Sequence, residues 1–186
     1  MRMLVFPALL YAAAASGVDL GGVKLDERAS IAGTQLQLNG AGVRTRMLFD
    51  VYAVGLYLPR KTASAQEAIA MPGPKRLEIR MLRDVGSDQF AAALLERLHA
   101  NTPEVELKAM QPRIRELTTI MNGMKHAKKG AAIALDWTGA AVQVSVDGHL
   151  AGKPIAGEDL YRALLRIWIG DKPGQAELKR ALLGMK

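Results

Sequence analysis

The sequence predicts one α+β domain in the order strands, two helices, strands, helices. Three observations carry this. Strand-like runs occupy residues 23–82 and 131–154, whereas between them and after Gly157 the apolar residues recur at helical spacing. The chain has 186 residues, 49% hydrophobic and 23% charged, enough to bury a core and far from the composition of disordered segments. No repeat, linker or low-complexity tract divides it.

At the N-terminus, Arg2 precedes an apolar run over residues 3–15 that is interrupted only by Pro7 and is too short to span a bilayer. Small residues follow, ending in Ser16 and Gly17, and suit a signal peptidase at several registers. The expectation is a signal peptide over residues 1–17, a single domain over 18–186, and a periplasmic or secreted address. A buried N-terminal helix is the alternative. No other stretch approaches spanning length, so no transmembrane segment is expected in the mature chain.

Residues 23–58 are punctuated by turn signals at Asp26-Glu27, Ala32-Gly33 and Gly40-Ala41-Gly42, which predicts consecutive antiparallel strands. Gln35-Leu36-Gln37-Leu38 alternates as a sheet with one wet face requires. Residues 47–58 are apolar on both parities apart from Asp50, so that strand should be central and covered on both faces. Leu77, Ile79 and Met81 alternate with Arg76, Glu78 and Arg80 in a further strand.

Ser87 as N-cap, followed by Phe90, Leu94, Leu95 and Leu98, predicts a helix over 87–100. Pro103 opens a second helical pattern running to Met124, in which Pro112 predicts a kink or break. Strands over 131–137 and 141–146, joined by Thr138-Gly139 and followed by Asp147-Gly148, form a β-meander. Glu158 and Asp159 start a helix that buries Leu160, Ala163, Leu164, Ile167 and Trp168 and ends at Gly170, before a short helix over 177–183.

Several function classes lose support. The absence of cysteine excludes disulfides, cysteine metal sites and thiol nucleophiles. His99, His126 and His149 lack ligand spacing, so no metal is expected, and no cofactor motif appears. Gly40-Ala41-Gly42 has Thr45 where a dinucleotide fingerprint has its third glycine. Aromatic residues at 5% argue against a base-stacking platform, and no nucleic acid is expected. The formal charge is +7, and Arg113, Arg115, Lys125, Lys128 and Lys129 crowd one region. That region reads as a solvated helix end, with contact to an anionic membrane surface as the other reading.

Arg44 is more informative, because it enters a nearly apolar strand where a charge needs a partner. It either snorkels to the sheet edge or anchors an anionic ligand through its planar fork. Tyr52, eight residues on, shares its strand face if no bulge intervenes, and could add a hydroxyl or simply pack in the core.

Leu38-Asn39-Gly40-Ala41-Gly42-Val43-Arg44 and Phe49-Asp50-Val51-Tyr52-Ala53-Val54-Gly55-Leu56-Tyr57-Leu58 resemble the N-terminal signature of the chalcone isomerase-like superfamily. Leu160-Tyr161-Arg162-Ala163-Leu164-Leu165-Arg166-Ile167-Trp168-Ile169-Gly170-Asp171-Lys172-Pro173 is similar to its bacterial secreted branch. The resemblance covers residues 23–184 and implies an open-faced β-sandwich: a large antiparallel sheet covered by a layer of helices, with a ligand cleft between. In the isomerases an arginine after the Gly-x-Gly turn steers a phenolate during an intramolecular oxa-Michael ring closure, and Arg44 matches it. Their active-site tyrosine falls on Phe90, which has no hydroxyl. Their strand threonine falls on Tyr52, their helix asparagine near Arg97, and a ligand-facing serine or threonine near Tyr161.

In the fatty-acid-binding branch an arginine and a tyrosine grip a carboxylate, and Arg44 and Tyr52 match that pair. The resemblance therefore implies non-catalytic binding of a fatty acid or similar small apolar anion by Arg44, Tyr52, Phe90, Arg97 and Tyr161. The alternative is an isomerase, an intramolecular lyase needing no cofactor, in which Arg44 acts with Tyr161 as a substitute donor. A structural or interaction module is the third reading.

Overall fold

The computed structural model describes residues 17–124 and 126–185, so the expected signal peptide lies outside the described residues except for Gly17. Strands β1 (Gly17–Leu20) and β2 (Val23–Asp26) form a separate antiparallel pair. They lead into β3 (Arg28–Ile31), β4 (Thr34–Arg46) and β5 (Phe49–Leu58). After α1 (Ala65–Ala70) come β6 (Lys75–Met81), β7 (Val85–Gly86), α2 (Ser87–Asn101) and α3 (Glu104–Gly123). The chain returns through β8 (His126–Ala127), β9 (Ala132–Trp137), β10 (Ala141–Val146), β11 (His149–Leu150) and β12 (Ile155–Ala156), and closes with α4 (Glu158–Ile169) and α5 (Ala176–Leu182).

The main sheet is antiparallel in the order β11-β10-β9-β6-β5-β4-β3, with β12 pairing β10 at the far end. Period-two alternation gives it two unlike faces. Val54, Leu56, Leu77, Ile79, Leu135 and Val144 are buried beneath α2, α3, α4 and α5 and make the main core. The opposite face carries Arg76, Glu78, Arg80 and Asp136 in an ion-pair ladder, with Arg76 Nε 2.7 Å from Asp136 Oδ1. Toward β3 that face turns apolar, and Ile31, Leu36, Leu38 and Tyr57 form a small cluster there.

The elements follow the sequence pattern with four instructive departures. Gly40-Ala41-Gly42 is not a turn, because β4 runs through it for 13 residues and the chain reverses at Met47-Leu48. These glycines serve close approach: a Cβ at Gly40 would lie 2.1 Å from the Ala181 carbonyl oxygen of α5, and one at Gly42 2.9 Å from Leu178 Cδ1. As a result β5 is covered on both faces only over residues 53–58, while Phe49 and Asp50 at its start are exposed.

The other three departures concern helices. Helix α3 passes unbroken through Pro112, which is exposed together with Lys108, so the carbonyl that loses its partner faces water. Gly86, not Ser87, is the N-cap of α2, and Ser87 is buried within the helix. Helix α1 escaped the periodicity reading, although Ser64-Ala65-Gln66-Glu67 is a capping-box pattern: the Ser64 hydroxyl accepts from the Glu67 backbone N–H at 3.2 Å.

Lys75, at the start of β6, is fully buried, and its Nζ sits 3.7 Å from the Glu158 carboxylate, beyond hydrogen-bonding reach. Desolvation holds its pKa below the ordinary lysine range, partly countered by Glu158. Glu158 is also 3.1 Å from Arg162 and does not depend on Lys75 for a partner. Lys75→Met is therefore expected to stabilise the fold by about 1 kcal/mol at neutral pH. Unfolding returns the amine to its higher pKa and takes up a proton between the two values, so wild-type stability rises with pH across that window. Urea unfolding from neutral to alkaline pH checks both points: the advantage of Lys75→Met should narrow as pH climbs toward the usual lysine range.

Candidate functional site

Arg44 and Tyr52 are brought together by the β4–β5 hairpin. They do not share a strand, as their spacing suggested. The turn at Met47-Leu48 puts them on neighbouring strands as directly opposed partners, with Val51 as the extra residue of a bulge beside them. Opposed residues of an antiparallel pair project from the same face, so both side chains meet the helical layer.

That layer completes a cleft of about 800 Å³. Helix α2 contributes Phe90, whose ring stands edge-on to Tyr52 at 6.3 Å between centroids, and also Leu94 and Arg97. The C-terminal end of α4 contributes Ile167 and Trp168, and Gly174 closes the inner end. Behind Arg44 a recess of about 30 Å³ reaches Gln175 and Leu178, room for roughly one water molecule.

The polar atoms at the inner end are only partly satisfied by protein. Arg44 Nη1 donates to the carbonyls of Thr45 (3.0 Å) and Gly174 (3.1 Å) and to Gln175 Oε1 (3.3 Å). Its Nε and Nη2 make no hydrogen bond to the described residues, and no described carboxylate forms a salt bridge with it. Gln175 is fixed in turn, because Oε1 also accepts from the Thr45 backbone N–H at 3.0 Å. The Tyr52 hydroxyl oxygen accepts from Trp168 Nε1 at 3.0 Å. Burial pushes the Tyr52 pKa up against the opposing effects of Trp168 and the Arg44 charge, so the phenol is neutral. Its proton has no acceptor among the described residues and is available to a ligand.

Four of the five expected site residues, Arg44, Tyr52, Phe90 and Arg97, line this cleft. Arg97 is bonded to the neighbouring Glu96 carboxylate. Tyr161 lies elsewhere: it is fully buried, its hydroxyl donates to the Leu135 carbonyl at 3.1 Å, and its ring packs 6.4 Å from Trp137. The reason is helical geometry. Tyr161 and Trp168 share a face of α4 but stand two turns, about 10 Å, apart, and only the later turn reaches the cleft. Tyr161 is thus not placed to donate to a ligand there.

Trp168 and Gln175 were missed as site residues. Trp168 is buried in the core as its helical spacing predicts and also lines the cleft, and its indole N–H, which needs an acceptor, is a signal of the second role in the sequence itself. In the basic region Arg115, Lys128 and Lys129 are exposed as expected and Lys125 lies outside the described residues, whereas Arg113 grips the Asp159 carboxylate, its Nη2 lying 2.8 Å from Oδ2, and ties α3 to α4. No cluster of three or more His, Cys, Asp or Glu able to hold a metal occurs among the described residues.

Residues 17–184 match the family model described as chalcone isomerase-like. The chain belongs to the chalcone isomerase-like family. A similar solved structure is a fatty-acid binding protein of Arabidopsis thaliana, with a TM-score of 0.67 and 17% identity over 88% of this chain and 92% of that one. At that identity the likeness concerns the fold, and the chalcone isomerase-like architecture of sheet and helical layer is common to both. No curated protein is significantly similar in sequence. No helix among the described residues is long and apolar enough to cross a membrane.

Proposed function

We propose that this chalcone isomerase-like domain binds a fatty acid or a similar small apolar anion in the cleft, without converting it. The observation that supports this is the charge of Arg44, whose Nε and Nη2 have no hydrogen-bond partner among the described residues, beside the Tyr52 phenol. A guanidinium whose partners among the described residues are neutral dipoles is free to pair with an anion, and its planar fork suits a carboxylate. Phe90, Leu94 and Ile167 offer an apolar wall to an acyl chain, and each methylene buried there contributes about 0.8 kcal/mol. A protein of the same fold carries the name of a fatty-acid binder. The apolar run over residues 3–15 and the small residues after it support an address in the periplasm or outside the cell.

The test is native mass spectrometry of protein recovered from a Gram-negative periplasm, followed by denaturing extraction. A co-purifying fatty acid and an N-terminus trimmed near residue 17 are expected. A bare protein that also fails to bind added dodecanoate would overturn the binding reading. Tyr52→Phe should weaken dodecanoate binding three- to tenfold, since a net hydrogen bond is worth about 1 kcal/mol. It should also lower stability by about 1 kcal/mol, because the Trp168 N–H loses its acceptor. Titration calorimetry and thermal unfolding read the two effects separately.

A further inference from the structure

The cleft opens beside the tip of the β4–β5 hairpin, where Met47, Leu48 and Phe49 are 89%, 93% and 59% exposed. The other large apolar side chains exposed among the described residues, Val18, Val105, Leu150 and Met185, are scattered singly. Folding does not account for the tip. A two-residue hairpin turn favours Asn or Gly, yet Met47 occupies it at a φ of +56°. Exposed apolar residues in a strained turn point to a use outside the fold.

The surroundings are basic. Arg46 adjoins the tip, and the Arg83 guanidinium lies 4.8 Å above the Phe49 ring. Neither forms a salt bridge with a described residue. Asp50, which accepts from the Thr45 hydroxyl at 2.9 Å, and Asp84, which accepts from the Lys129 backbone N–H at 2.7 Å, keep their negative charge, so it is Arg44 together with Arg46 and Arg83 that leaves the cleft mouth with a net positive charge.

We propose that this hairpin tip docks on an anionic lipid bilayer. Met47, Leu48 and Phe49 enter the interfacial region while Arg46 and Arg83 meet the headgroup phosphates. Size favours lipid over protein, because three side chains on a narrow turn fall well short of the ~800 Å² per partner that a stable protein interface takes. The formal charge of +7 draws the whole molecule toward an anionic surface. Met47 and Phe49 also line the cleft, so a docked molecule sets the cleft mouth against the acyl region. Transfer of an acyl ligand along that route rests on the binding reading above, whereas docking does not.

The experiment uses the full chain with vesicles of phosphatidylcholine alone or mixed with phosphatidylglycerol. The two native tryptophans, Trp137 and Trp168, are buried, so an added Leu48→Trp reports on the tip, and its emission should shift to the blue with the anionic vesicles. In co-sedimentation, Leu48→Asp should cut partitioning about tenfold or more, and Arg46→Glu with Arg83→Glu should abolish the preference for phosphatidylglycerol. These sites are exposed, so thermal midpoints near wild type are expected. The apolar N-terminal run is common to all variants, and equal partitioning of wild type and Leu48→Asp would overturn the proposal. So would a dimer in sedimentation velocity that Leu48→Asp separates, since a second copy would then cover the tip. Dodecanoate binding is measured alongside: docking without it overturns the binding reading alone, and binding without docking overturns this proposal alone.

Discussion

Arg44→Ala should abolish the proposed retention of a fatty acid and leave the fold standing. The expected loss is about 3 kcal/mol, or more than a hundredfold in affinity, because the variant leaves a desolvated carboxylate without its countercharge. Stability should change little. The protein groups released, the carbonyls of Thr45 and Gly174 and the Gln175 side chain, are not deeply buried, and Gln175 keeps its bond to the Thr45 backbone. Arg44→Lys separates charge from geometry: it keeps a point charge but loses the fork, so its affinity should fall between the other two. The measurement is dodecanoate titration, with circular dichroism as the check on folding. Equal affinity in wild type and Arg44→Ala would sink the assignment of Arg44 as anchor.

Gly40→Ala should be a strongly damaging substitution despite adding only one methyl group. The added methyl would need the space taken by the Ala181 and Leu182 carbonyls of α5, at 2.1 and 2.7 Å. Backbone cannot move aside as a flexible side chain can, so the helix must lift from the strand. Asn39, next in the chain, donates from Nδ2 to the Leu182 carbonyl and accepts from the Thr62 N–H through Oδ1, both at 2.7 Å. Lifting α5 therefore also strains a buried amide. A loss of about 3 kcal/mol is expected in urea unfolding, at the upper end of the usual cost of overpacking. Gly123→Ala is the control, since a methyl there meets nothing within 4 Å in a helix, and a small gain of about 0.5 kcal/mol is expected from lower unfolded-state entropy. If the two variants unfold alike, close packing of α5 on β4 is not what Gly40 provides.

These two residues also mark how far the chain could be read without its fold. Arg44 stood out because a lone cation in an apolar run is an anomaly at the level of sequence. Gly40 stood out as well but for the wrong reason, since a glycine pair signals a turn as readily as a close approach, and only the position of α5, more than a hundred residues away, distinguishes the two. Tyr161 shows the complementary error: its chemistry suited the site, but its place on α4 put it two turns from the cleft.

Composition and periodicity by themselves determined the α+β class, the positions of helices α2 to α5 and of strands β6, β9 and β10, and the core stripe of α4, because burial of alternate or every third and fourth residue is a local rule. Only the tertiary structure decided which face Tyr52 shares with Arg44, that Trp168 holds the Tyr52 hydroxyl, and that the apolar hairpin tip stays outside the core. Each of these depends on strand register and on contacts between distant segments. Register is set by where a turn and a bulge fall, and a shift of a single residue there turns every later side chain to the opposite face.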